Sequence, residues 1–291
     1  MANEFLTAGQ IAAASIVSLD KATVLAQTTW RDAETAFGGK QGDTVTVRVE
    51  GVAGDAREFN MDRSAEIVLD DLDETAVDVK LDTYLYKGAK VEDEALTLKI
   101  EDFNRQVSLP LVKSVANGIE GRVALRINAT SNTVSGSYSD VIGGVLNAEE
   151  KLNDNDVPLD ERFLVIGSGV RKHLLKSDEL LHADKADSDS ALRDAIIGDL
   201  FGFKVVFSNR ISKDSAVAYH RSAFVTVQKA LEVPRGATWG EVKSYNGFAL
   251  REVADYDPRF QEDRVVVSTL LGTAAVEDGG SIKRAVKVNF S

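Results

Sequence analysis

The chain has 291 residues, 44% of them hydrophobic, enough for one large domain or two ordinary ones around a real core. Its 34 basic and 46 acidic residues give a formal net charge of -12, which argues against a surface whose main task is to neutralise phosphates. The absence of cysteine excludes disulfides and thiolate metal sites and suits a reducing cytoplasm, and three scattered histidines disfavour a histidine-rich metal centre.

Residues 1–41 read as an N-terminal arm. Ile11, Ile16, Val17, Leu19, Val24 and Leu25 recur at loosely helical spacing and predict one helix over 16–26. The apolar run at 11–17 has no Lys or Arg before it and is broken by Ser15, so it does not read as a signal segment. No stretch approaches the roughly 20 apolar residues of a membrane-spanning helix.

Gly42-Asp43 opens a strand over 44–49, where Val45, Val47 and Val49 alternate with Thr44, Thr46 and Arg48. From 51 to 77 the alternation dissolves into Gly, Asp, Arg and Glu, and it resumes with Val77, Val79 and Leu81, then Tyr84, Leu85 and Tyr86. A strand leaves and a strand returns, which makes the excursion between them a candidate protruding loop.

Next, Phe103, Val107, Leu111, Val115, Ile119, Val123 and Ile127 form a row at spacing four. Each step overshoots a 3.6-residue turn by about 40°, so the row winds around a helix and offers apolar surface to more than one neighbour. Pro110 calls for a fresh start capped by Ser108, giving a long helix over 110–129 with close backbone approach at Gly118 and Gly121, or alternatively two short core helices.

The Ser-, Thr- and Asn-rich stretch 130–139 reads as a linker and subdomain boundary. A helix over 140–152, a buried strand over 163–166, Gly167-Ser168-Gly169, an acidic loop at 184–190, and a strand over 204–207 follow. Stretches 216–219 and 224–227 read as strands or short helices, and Pro234, Gly236 and Gly240 mark a loop. Strands over 248–253, 265–271 and 282–290 close the chain.

Candidate chemistry is thin. The turn at Gly167-Ser168-Gly169 follows a strand as a phosphate-binding turn would, but Lys172 stands where a dinucleotide fingerprint needs glycine, and no Walker Lys-Ser/Thr ending is present. Ile166 and Val170 exclude a nucleophile elbow around Ser168. The acidic clusters Asp70, Asp71, Asp73 and Glu74; Asp154 and Asp156; and Asp184, Asp187 and Asp189 lack the glycine and glutamate of a calcium loop and read as solvated charge. His173, His182 and His220 have no partner at triad or ligand spacing, and Lys87 and Lys90 read as ordinary ion-pairing residues. No catalytic, cofactor-binding or metal-ligating residue is assigned, and no cofactor is expected.

The order of elements, the segment from Leu192 to Asn209 (LRDAIIGDLFGFKVVFSN), and Tyr219-His220-Arg221-Ser222-Ala223-Phe224 resemble tailed-phage major capsid proteins of the HK97-like fold, closest to the P22-coat-like branch. The resemblance covers nearly the whole chain. It implies an α+β fold with an N-terminal arm over 1–41, a strand and extended loop over 42–92, the spine helix of a peripheral domain over 93–138, an axial domain over 139–234, and returning strands of the peripheral domain over 235–291. It also implies self-assembly of pentamers and hexamers into an icosahedral shell around double-stranded DNA, a separate scaffolding protein, a portal, and assembly in a bacterial cytoplasm without a membrane. An encapsulin-like compartment shell is the alternative within the same fold. An acidic cytoplasmic α/β nucleotide-binding enzyme is the alternative outside it.

Overall fold

The computed structural model describes residues 8–31, 44–49, 75–92, 103–176 and 198–291. Helix α1 (Ala8–Ala22) starts earlier than its apolar spacing predicts, because alanines and small polar residues extend it toward the N-terminus, and it ends earlier too. The Thr23 hydroxyl donates back to the Leu19 carbonyl at 3.1 Å, and the chain then tightens into a 3-10 turn, Ala26–Thr28.

Strand β1 (Thr44–Val49) pairs antiparallel with β2 (Thr75–Lys80), in a register running from Thr44 opposite Lys80 to Val49 opposite Thr75. The stretch between them, which holds most of the expected protruding loop, lies outside the described residues. The returning strand is not one strand but two. After a tight turn in which the Asp82 amide donates to the Lys80 carbonyl, β3 (Thr83–Glu92) leaves the ribbon and enters a larger sheet.

The long helix α2 (Leu109–Asn128) begins differently from the expectation. Ser108 is already helical in φ and ψ and its side chain makes no cap; the preceding turn, Asn104–Ser108, is π-helical. The wider turn lies where a proline ring at 110 would crowd the carbonyl four residues earlier, so the chain enters the helix without a break. Leu111, Val115, Ile119, Val123 and Ile127 of the spacing-four row are all buried, joined by Val112, Ala116 and Ala124. Gly118 lies against Leu85 of β3, where an added Cβ would sit 3.3 Å from the leucine methyls.

A five-stranded sheet runs β10 (Trp239–Tyr245), β11 (Phe248–Asp257), β12 (Glu262–Ala275), β3, with β9 (Phe224–Lys229) also pairing with β12. Strand β10 falls where a loop is expected. Its residues are mostly half-exposed or exposed, which is why apolar alternation does not announce it, and it is held by a hairpin through Asn246 and Gly247, both at positive φ. Helices α1 and α2 cover one face of this sheet, and their residues share a core with Leu250, Val265, Val267 and Leu271.

The second sheet has six strands in the order β4 (Thr133–Gly136), β13 (Ala285–Phe290), β8 (Ser215–His220), β5 (Arg162–Ile166), β7 (Phe203–Phe207), β6 (Asp199–Leu200). The expected linker at 130–139 thus contains a strand, and the last closing strand joins this sheet rather than β11 and β12. Side chains alternate across it. Leu164, Ile166, Ala216, Ala218, Val286 and Val288 pack on α3 (Val141–Asn153) and α4 (Ser168–Leu174), while Val165, Val217, Tyr219 and Ala285 belong to the core around α2. One sheet therefore shares both cores.

Candidate functional site

Among the described residues the chemical candidates resolve into packing. The N-terminus of α4 is filled by the chain itself. Gly169 donates its amide to the Lys213 carbonyl at 3.0 Å, and a Cβ on Gly167 would lie 2.1 Å from the Ser212 carbonyl oxygen. Glycine is required there for close approach of the 212–214 segment, and the amide that a phosphate would use is occupied. Ser168 is exposed at this turn.

His173 lies against the Tyr138 ring, with centroids 4.3 Å apart. The Tyr138 hydroxyl donates to Asp214, and burial together with that carboxylate pushes its pKa up to about 12. His220 Nδ1 lies 2.8 Å from Ser222 Oγ, which in turn accepts from Arg284 at 2.9 Å. Burial lowers the His220 pKa, and Arg284 and Arg162 add to the effect, against Asp160 and Glu161. Lys90 meets Glu262 at 3.4 Å, the ion pair expected of it. Asp154 and Asp156 lie in the turn that ends α3, with Asp156 at φ 53. His182 and the acidic clusters at 70–74 and 184–189 lie outside the described residues. Among the described residues no group of three or more His, Asp or Glu is arranged to hold a metal ion, and no helix is long and apolar enough to cross a membrane.

What the fold does build is a seat for the N-terminal arm. Glu120 projects from α2 with 7% exposure and accepts three backbone N–H bonds at 3.0 Å, from Val24, Leu25 and Ala26. A carboxylate so bound satisfies amides that the turn after α1 would otherwise bury without partners. Thr28 Oγ1 then meets the buried Tyr219 hydroxyl at 2.6 Å, and Thr29 donates to Thr226 at 2.9 Å. Trp30 bridges to β9 through its amide and carbonyl, each at 2.9 Å. Arg31 lies 4.8 Å over the Phe248 ring and donates to the Asn246 carbonyl at 2.7 Å. The arm thereby touches α2, the six-stranded sheet and the five-stranded sheet in turn.

Sequence reasoning missed Glu120. The signal was present, since it is the single acid in the long helix and falls four residues from Ala116 and from Ala124, on the buried side.

The β1–β2 ribbon has a root of its own. Val77, Val79 and Leu81 pack with Val225, Val227, Leu270 and Val276 in a third apolar cluster, to which Trp30 adds. Here β2 crosses β12 at Gly272, where a Cβ would come 2.7 Å from the Lys80 carbonyl oxygen. The ribbon thus stands on a fixed base. An arm seated across two sheets and a rooted ribbon are structural devices.

No protein-family model matches the sequence, and none of the curated proteins matches it. Solved structures do match. A chain of Mycobacterium phage Che8 is similar with a TM-score of 0.64 and 20% identity, covering 92% of this chain and 91% of that one. A chain from the mature capsid of bacteriophage PhiM1 has a TM-score of 0.57 at 13% identity, covering 92% and 87%. A virus-like particle from Pyrococcus furiosus has 0.56 at 11% identity, covering 97% and 98%. The match extends over almost the full length of each chain, so this chain has the α+β HK97-like fold of phage capsid proteins.

Proposed function

We propose that this chain is the major capsid protein of a tailed bacteriophage, a structural subunit that assembles with copies of itself into the icosahedral head enclosing double-stranded DNA. The observation that carries the reading is the extent of the fold match: a mature phage capsid chain is covered to 87% of its length, with little of either chain left over for another task.

In this reading residues 1–41 form the arm and 42–92 the strand and extended loop. Residues 93–138 carry the spine helix of the peripheral domain, 139–234 form the axial domain, and 235–291 are returning strands. Of these last, β10 to β12 complete the sheet under α2, while β13 completes the sheet that carries α3 and α4. A subunit of this kind needs large contact surfaces, and its arm and loop gain order when neighbours bury them. The partners are further copies in pentamers and hexamers, a separate scaffolding protein, and a portal; assembly takes place in the host cytoplasm and the product is the virion. Placement in the P22-coat-like branch rests on the glycine punctuation at 198–202 and the segment 219–224.

Negative-stain microscopy of the purified protein, with and without a co-expressed scaffolding partner, tests the proposal. Closed shells or capsomers are expected. A monodisperse small oligomer that never forms either overturns it. Deleting residues 54–72 is expected to leave the subunit folded and to block closure of the shell.

A further inference from the structure

Strand β10 (Trp239–Tyr245) ends the five-stranded sheet, with β11 on one side and, among the described residues, no strand on the other. The two-residue loop Asn246-Gly247, both at positive φ, closes the β10–β11 hairpin on Tyr245 opposite Phe248. A loop of this kind closes on a hydrogen-bonded pair, and such pairs recur at every second residue of an antiparallel ladder. Tyr245, Lys243, Glu241 and Trp239 therefore turn their backbone groups toward β11, while Gly240, Val242 and Ser244 turn theirs outward. The strand has neither the proline nor the bulge that would blunt such an edge.

The residues of β10 are complementary to themselves read backwards. Set antiparallel on a second copy with Val242 opposite Val242, the strand places Glu241 opposite Lys243 of the other copy, and Lys243 opposite its Glu241. Gly240 meets Ser244, and Trp239 meets Tyr245, whose ring is 52% exposed in the single chain. The outward-bonding residues then face one another, so their open amides and carbonyls find partners, and the charged residues fall on the pairs between, where cross-strand side chains come closest. Within one chain Lys243 Nζ lies 3.0 Å from Glu241 Oε1, and the second copy extends this pair into a two-by-two array of alternating charge. Sliding the partner by two residues would set Glu241 against Glu241 or Lys243 against Lys243, so charge fixes the register. Resting on the capsid reading above for its second copy, we infer that β10 pairs with β10 of another subunit about a twofold axis at Val242, joining their five-stranded sheets into one. A twofold contact requires a surface that fits itself, and this edge does.

The test uses the full-length protein, with association read by sedimentation over a concentration series and shells by microscopy. Glu241→Lys sets Lys against Lys at both charged pairs, and Lys243→Glu sets Glu against Glu. Each is expected to weaken association at least about tenfold, although the two shift net charge in opposite directions. An equal mixture of the two variants restores opposite charges across the contact without restoring the ion pair inside either chain. It is expected to associate as wild type does, and so is the double swap Glu241→Lys/Lys243→Glu. Val242→Pro removes an amide that β11 does not use, so it is expected to keep the wild-type far-ultraviolet dichroism and to lose association. A wild type that stays monomeric throughout, single reversals that associate as wild type does, or a mixture no stronger than its components each overturns the inference. Microscopy of the same preparations separates the two readings: shells indifferent to these variants sink the β10 contact alone, and β10-dependent dimers without shells sink the capsid reading alone.

Discussion

Glu120 and Glu252 are both buried carboxyls near α1, and their surroundings give them opposite roles. Glu120 accepts from three backbone amides, so truncating it leaves those donors without a partner. Glu120→Ala is expected to lower unfolding stability by about 2–4 kcal/mol and to expose the turn at 23–26 to limited proteolysis, whereas Glu120→Gln, which keeps an acceptor, costs about half as much. Urea titration and protease mapping measure the two effects.

Glu252, at 1% exposure on β11, accepts from Ser15 Oγ at 3.1 Å inside an apolar core. Burial raises its pKa above the ordinary 4.5, against the Ser108 and Ser15 hydroxyls. A carboxyl raised in the folded state binds its proton more tightly there than when unfolded. Its contribution is therefore fully present below the unfolded pKa and is lost as pH rises through the folded one. The urea midpoint is expected to fall as pH rises above about 4.5. Glu252→Gln should flatten that part of the profile; an unchanged profile would remove Glu252 as its source.

At the scale of elements, the ribbon depends on close approach to β12. Gly272 lets β2 cross β12, and any side chain there must push the Lys80 carbonyl aside. Gly272→Val is expected to cost about 1–3 kcal/mol by overpacking, and, on the proposed capsid function, to impair shell closure more than folding, because the displaced element is the β1–β2 ribbon. Thermal unfolding and microscopy of the variant check the two parts separately. Strands β10 and β4 show why some elements escape sequence reading. Each lies at a sheet edge: β10 has few buried side chains to announce it and is held by its hairpin with β11, and β4 owes its conformation to β13, about 150 residues away. The helix over 140–152, by contrast, carries its own signals. Asp140 caps it by accepting from the Gly143 amide at 2.7 Å, and its apolar spacing ends at the Asn-Asp turn.

At the scale of the molecule, the two sheets are not independent units. The chain passes between them at 221–223, at 276–284 and at 129–132. These passages are tied together: Arg284 holds Asp278 at 2.8 Å and Ser222 at 2.9 Å, Val276 donates to the Ala223 carbonyl at 2.9 Å, and Lys287 donates to the Asn132 carbonyl at 2.8 Å. Because α2 shares a core with both sheets, unfolding is expected to be a single transition. Trp30 and Trp239 both lie at the five-stranded sheet, so their fluorescence reports one half of the molecule, while far-ultraviolet dichroism reports all of it. Coincident urea curves are expected; a gap between them would show that the sheets melt apart.

The amino-acid sequence alone determined the spacing-four helix, the strand over 44–49, the helix over 140–152, the punctuated strands around 163–207, and the family resemblance. These rest on local periodicity and turn chemistry, which act over a few residues. Only the tertiary structure decided that β13 leaves β12 for the other sheet, that Glu120 seats the arm, and that the glycine turn at 167–169 is filled by its own chain. Each of these depends on residues tens to hundreds of positions apart being brought within bonding distance, and the physical cause is the burial of two faces of one sheet by two different sets of helices.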